Sequence, residues 1–111
     1  MKITTSLKQG ILIVKIEGEL DMHSADQFKR VVDSALDESG ANNLLLDLKQ
    51  VSFIDSSGLG VILGRYKRLS ASNGKIVAVH VQPQVANILA LSGMLKIVGL
   101  YETQAEALAQ V

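Results

Sequence analysis

Short apolar segments alternate with amphipathic helical patterns along nearly the whole chain, and this alternation limits the folds that are open to it. Residues 2–7 and 11–17 have the pattern of two strands, and the short turn Lys8-Gln9-Gly10 between them makes the pair antiparallel. Three further strand patterns follow, at 44–48, 76–81 and 97–100. Because helical patterns separate these strands, we expect parallel neighbours joined by right-handed crossovers. The predicted fold class is α/β, a single mixed sheet of four to five strands in the order β-β-α-β-α-β-α-β-α.

The helical patterns have recognisable starts, near Ser24, Ser57, Pro83 and Thr103. Ser24 stands three residues before Gln27, which is the spacing of a capping box, so we expect the Ser24 hydroxyl to cap the first helix. In the second helix one stripe of side chains should face the core, namely Leu59, Ile62, Leu63, Tyr66 and Leu69. The strand at 11–17 alternates between more and less apolar faces, which favours helices mainly on one side of the sheet.

Composition limits the classes of protein and of partner. The 111 residues suffice for one domain with its own core, predicted to span 1–111. The 11 basic and 11 acidic residues balance and aromatic residues are only 4% of the chain, so we expect no direct contact with nucleic acid or an anionic membrane. The chain has no cysteine, no signal-peptide pattern and no apolar run long enough to cross a bilayer. These features predict a cytoplasmic protein.

The stretch from Val51 to Gly60 carries the clearest functional signal. An apolar run ends in Asp55, and Ser56 and Ser57 follow just where a helical pattern begins. Hydroxyls at the start of a helix can cap its free N–H groups. The same position favours a phosphate, because the N-terminal end of a helix carries partial positive charge. The residues alone therefore allow both a structural cap and a modification site.

Patterns of known catalytic sites are absent from this stretch. A nucleophile elbow needs glycine two residues before the serine, where this chain has Ile54 and Asp55. The glycines after Ser57 follow the pattern Gly-x-Gly-x-x-x-Gly, one residue longer than the dinucleotide fingerprint. Asp21 and His23 alone do not make a metal site. We therefore expect no enzymatic activity, no cofactor and no metal.

Residues 51–67 closely resemble the signature of STAS-domain anti-sigma factor antagonists, most of all the member of the sporulation sigma-F system. Two further segments match motifs of this family, Gly18-Glu19-Leu20-Asp21 and Ser92-Gly93-Met94-Leu95-Lys96-Ile97. Length and element order also agree, so the resemblance covers essentially the whole chain. The alternative is a stand-alone STAS module that binds a ligand or serves a general-stress system.

The resemblance implies a protein-binding switch. In this family the unphosphorylated form binds an anti-sigma factor that is also a serine kinase, and so releases the sigma factor. The kinase then phosphorylates one serine with ATP, the antagonist dissociates, and a PP2C-type serine phosphatase restores it. The resemblance implies Ser57 as the acceptor, with Ser56 as the alternative.

Expected partner contacts follow from the same resemblance. Glu19 and Asp21 should lie beside the serines if the second and third strands pair. Gly58 and Gly60 should leave the acceptor unshielded. The full set of predicted partner-binding residues is Glu19, Asp21, Asp55, Ser56, Gly58, Leu59, Gly60, Met94 and Leu95.

Overall fold

Five strands form one sheet whose spatial order is the same as their order in the chain. The computed structural model describes residues 1–111. Its strands are β1 (Lys2–Lys8), β2 (Ile11–Glu17), β3 (Asn43–Gln50), β4 (Ile76–Val79) and β5 (Val98–Tyr101). β1 runs antiparallel to β2, and every other neighbouring pair is parallel. The predicted α/β class and mixed sheet are confirmed.

Four α-helices and one short 3₁₀ turn connect these strands or follow them. They are α1 (Ala25–Ser39), α2 (Ser56–Ser70), α3 (Pro83–Leu91), the 3₁₀ turn Met94–Lys96, and α4 (Gln104–Ala109). The first three helices each cross from one parallel strand to the next, as the element order predicts. The longest helices have 15 residues, and none combines the length and the hydrophobicity of a membrane span.

The alternation of side chains along the strands divides the core between the two faces of the sheet. A cluster of 20 buried residues joins the sheet to α1, α2 and α3, and a second cluster of 6 includes Ala107 of α4. In β2, Leu12 and Val14 belong to the first cluster, whereas Ile11 and Ile13 belong to the second. Most helices therefore cover one face, as expected, and only α4 covers the other.

Burial along α2 differs from the predicted stripe. Ile62 and Leu69 are buried as expected, but Leu63 is 36% exposed, whereas Arg65 is only 7% exposed. The buried side of the helix therefore includes an arginine. The prediction failed because a pattern of hydrophobic residues contains no signal for a buried guanidinium group.

Charged contacts between α1 and α2 account for the buried arginine. Arg65 Nε lies 3.0 Å from Asp33 Oδ1, and Arg68 Nη1 lies 3.4 Å from the same oxygen. The Arg65 contact is an ion pair rather than an aligned hydrogen bond, because neither Nε nor the buried Nη1 has a hydrogen-bond partner. Asp33 is the carboxylate that pairs with Arg65, so it compensates a charge held inside the helix layer.

Pairing between β2 and β3 resumes once beyond the ends of both strands. Leu20 and Ile54 form a single parallel bridge, and both side chains are buried. The first turn of α2 packs directly on this bridge. A Cβ built on Gly58 would lie 2.3 Å from Leu20 O and 2.8 Å from Ile54 Cγ2. Gly58 is buried, so the expectation that it leaves a serine unshielded for a partner is wrong; its role is close packing.

We expect Gly58→Ala to destabilise the protein by about 2 kcal/mol, because the new methyl group forces α2 away from the Leu20 carbonyl. Gly60→Ala is the matched control on the same helix, since a Cβ there meets nothing within 4 Å. That change should stabilise by roughly 0.4–1 kcal/mol through the unfolded state. Urea unfolding measures both, and a similar change in the two variants contradicts the packing role.

We expect Asp33→Ala to destabilise by about 2 kcal/mol, because Arg65 keeps its charge in a buried place without a counter-ion. The estimate lies below the cost for a fully buried pair, since the Asp33 side chain is 28% exposed. Asp26→Ala is the control: it breaks the pair with Arg30, whose side chains are 80% and 70% exposed. It should cost less than about 0.5 kcal/mol. Equal losses in urea unfolding would exclude the proposed importance of the α1–α2 ion pair.

Candidate functional site

Two segments that are distant in the chain lie side by side where the parallel strands end. We call them the β2–α1 loop (residues 18–24) and the serine loop (residues 51–57). Leu20 N donates to Phe53 O at 3.1 Å, and Asp55 N donates to Leu20 O at 3.2 Å. Glu19 and Asp21 therefore lie beside the serine loop, as predicted from pairing of the second and third strands.

Asp55 is the N-cap of α2, and its two carboxylate oxygens have different partners. Oδ1 accepts from the Gly58 N–H at 3.0 Å, which is the usual N-cap bond. Oδ2 accepts from the Met22 N–H at 3.1 Å, across to the β2–α1 loop. The suggestion that a serine hydroxyl caps this helix is wrong, because the carboxylate one residue earlier already occupies that position.

The two serines occupy the first two positions of α2 and differ in access to solvent. Ser56 is exposed, whereas Ser57 is partly buried. The backbone N–H groups of both serines have no acceptor within the chain, as is usual in the first turn of a helix. A phosphate on either hydroxyl would meet these free donors and the positive end of the helix dipole.

Asp21, not Ser24, organises the entry into α1. Asp21 Oδ1 accepts from the N–H groups of His23 at 2.9 Å and Ser24 at 3.2 Å. Ser24 makes no cap bond; its buried hydroxyl donates to Glu19 O at 2.7 Å. Gln27 bonds to Met1 O instead of closing a capping box. The capping-box prediction is therefore wrong, because a turn starting at Asp21 precedes the helix.

Three other predicted contacts differ in exposure. Glu19 and Gly60 are exposed, and nothing in the chain lies within 4 Å of the place where a Gly60 Cβ would be. Leu59 is partly buried and packs against the larger core cluster. Glu19 and Gly60 are thus open to a partner, whereas Leu59 also has a structural role.

Met94 and Leu95 do not lie at this site. α3 returns along the sheet, so the 3₁₀ turn precedes β5 at the edge where the parallel strands begin, opposite to the serine loop. Leu95 lines a groove with Tyr66, about 14 Å along α2 from Ser57 at 1.5 Å per residue. Met94 is buried in the core. Placing these two residues in one partner surface with the serines is therefore wrong, because the third motif supports packing at the other end of the sheet.

Two exposed apolar side chains at the site were missed by sequence reasoning. Met22 is 69% exposed in the β2–α1 loop, and Phe53 is 44% exposed in the serine loop. Both flank Asp55, since Met22 N bonds to its carboxylate and Phe53 is two residues before it. Their positions in loops, outside any helix or strand period, were the signal that could have identified them.

The edge around the serines is also acidic. Apart from His23, no basic residue occurs between Lys15 and Lys29 or between Lys49 and Arg65. These two stretches carry five acidic residues, Glu17, Glu19, Asp21, Asp26 and Asp55. Glu17 pairs with Lys2 and Asp26 with Arg30, which leaves Glu19, Asp21 and Asp55 without a basic partner. No group of three or more His, Cys, Asp or Glu side chains is arranged to hold a metal ion. The geometry suits a protein contact with complementary basic charge.

Comparison with known proteins agrees with this arrangement. The family model of the STAS domain matches residues 2–107. An anti-sigma F factor antagonist from Paenibacillus polymyxa is 38% identical over 111 residues, which is 100% of this chain and 95% of the relative. A crystal structure of a candidate anti-sigma factor antagonist from Thermotoga maritima superposes with a TM-score of 0.91 at 31% identity, covering 98% of this chain and 93% of that one.

A more distant structure shares the fold alone. The Bacillus cell fate determinant SpoIIAA, in its phosphorylated form, superposes with a TM-score of 0.74 at 24% identity, covering 98% of each chain. The family model and the Paenibacillus relative both span the serine loop. The chain belongs to the STAS-domain family and is a homologue of anti-sigma factor antagonists.

Proposed function

We propose that this protein is an anti-sigma factor antagonist whose unphosphorylated form binds an anti-sigma factor and so releases a sigma factor. The observation that carries the proposal is the exposed serine at the start of α2, held beside the Glu19–Asp21 segment by the Leu20–Ile54 bridge. Homology to an anti-sigma F factor antagonist supports a sporulation-type sigma system. No catalytic step is assigned to the chain itself.

The side chains around the serines indicate which chemistry the partner surface should have. Met22 and Phe53 offer exposed apolar area, and two carboxylates are close to them, Asp21 next to Met22 in the chain and Asp55 bonded to the Met22 N–H. Interfaces typically combine an apolar centre with a polar or charged rim. The partner surface should therefore be apolar at its centre and basic around it.

Phosphorylation of this loop would switch the contact off. We infer that the anti-sigma factor is itself the serine kinase and that a PP2C-type phosphatase removes the phosphate. A phosphoserine adds about −1.5 to −2 charge at pH 7. The free N–H groups of the first turn can carry that charge without unfolding the helix, whereas a partner that packs its apolar centre against the serine would have to bury the phosphate without hydration. The switch is then a steric clash and a desolvation cost at the interface.

The two candidate acceptors differ in their access to solvent. A kinase must bring ATP to the hydroxyl, and Ser56 is exposed, whereas Ser57 is partly buried. Access therefore favours Ser56, although the family resemblance suggested Ser57. Ser57 stays the sequence-based prediction, and a map of the phosphosite separates the two.

The test uses purified protein, candidate anti-sigma factor kinases and ATP, with the phosphosite mapped by mass spectrometry. If solvent access determines which serine is phosphorylated, Ser56→Ala abolishes phosphate incorporation and Ser57→Ala retains most of it. The opposite pattern assigns the acceptor to Ser57. Incorporation at wild-type level in the double variant, or none with any candidate kinase, would contradict a phosphorylation switch in this loop.

Met22→Ala should raise the Kd for the anti-sigma factor at least fivefold, because it removes an exposed apolar contact beside the serines, worth about 1 kcal/mol at an interface. Leu91→Ala is the control, since Leu91 is 88% exposed at the far end of α3. That variant should bind as the wild type does. Isothermal titration measures both, and equal affinities for wild type and both variants would exclude Met22 from the contact.

A further inference from the structure

We propose that Asp55 is a positioning residue: its carboxylate joins the β2–α1 loop to the serine loop, so that the partner meets one preformed surface. This inference rests on the proposed function. It changes the role expected for Asp55, which the family resemblance suggested as a direct partner contact. Each carboxylate oxygen already accepts an N–H group of the chain, one from Gly58 and one from Met22.

The Met22 bond is the only hydrogen bond that ties the end of the β2–α1 loop to the serine loop. The backbone bonds that lead up to this point involve Gly18, which donates to Gln50 O of β3, and Leu20, which bonds to the serine loop, and they end there. From Asp21 to Ser24 the other bonds are local, within the turn that leads into α1. Without the Asp55 bond, the part of the loop that carries the Met22 side chain has no hydrogen bond to the serine loop.

Capping alone does not require a carboxylate. Thr103 caps α4 with a single hydroxyl, which accepts from the Glu106 N–H at 3.1 Å. At position 55 the cap bond uses only one oxygen of two, and the second reaches a residue 33 positions earlier in the chain. A carboxylate has two separate oxygens and can hold both loops at once. A single hydroxyl that caps the helix reaches only one of them.

The bond between Asp55 and Met22 affects the surface that a partner would contact. Met22 and Ser56 are both attached to Asp55, one through the bond to its side chain and the other as the next residue in the chain. Fixing their relative position before the partner arrives lowers the ordering cost of binding. Asp55 thus affects affinity through the shape of the surface.

The test uses Asp55→Asn, which keeps one oxygen for the Gly58 N–H and replaces the other with an amino group that cannot accept from Met22. Amide hydrogen exchange of the full chain, followed by NMR, should become at least fivefold faster at Met22 and stay nearly unchanged at Gly58. Asp47→Asn is the matched control, because Asp47 Oδ1 makes only a local bond, to Lys49 N at 3.1 Å. It should leave Met22 exchange unchanged. Unchanged Met22 exchange in Asp55→Asn overturns the proposal.

Binding separates positioning from direct contact. Asp55→Asn should raise the Kd for the anti-sigma factor about tenfold, which corresponds to about 1.4 kcal/mol. In the background of Met22→Ala the same substitution should have a clearly smaller effect, since the residue it positions is already truncated. Full additivity of the two changes indicates that Asp55 contacts the partner directly and contradicts the proposal. If the wild type binds no anti-sigma factor, the proposed function fails, while Met22 exchange still decides whether Asp55 joins the loops.

Discussion

The parallel bridge between Leu20 and Ile54 is the contact on which the functional edge depends. Two strands that have already left their regular ladder pair once more, and the helix after the second strand packs directly on that pair. The bridge sets the distance between the two loops, and the missing side chain of Gly58 lets α2 begin against them. Because the bridge is buried in the core, the position of the exposed serine is tied to the stability of the whole domain.

Local periodicity predicted most of the fold. Element order, strand pairing and the location of the helices all follow from patterns that repeat within a few residues, and the structure agrees with each. The residues that cap the helices were predicted less well. Ser24 and Ser56 are good capping residues, but neither caps a helix with its side chain. Asp55 caps α2, and the Asp21 carboxylate accepts instead from N–H groups of the turn that precedes α1.

Long-range placement could not be read from the sequence. The third motif matches the family as well as the other two, yet α3 carries it to the far edge of the sheet, where Met94 is buried. Arg65 is a similar case, because its burial depends on Asp33 of another helix. In both cases the outcome depends on residues that lie tens of positions away in the chain and become neighbours only through the topology of the fold.

The strand order has a consequence for how this protein could be blocked. In open sheets whose crossovers change direction, a crevice forms at the carboxyl ends of the strands and ligands bind inside it. Here the spatial order follows the chain from β1 to β5 without such a reversal, so the strand order creates no such crevice beside the serines. A small inhibitor would find little enclosure there. A competitor of this site should itself be an extended surface, such as a peptide or an engineered binding domain, that covers both loops together.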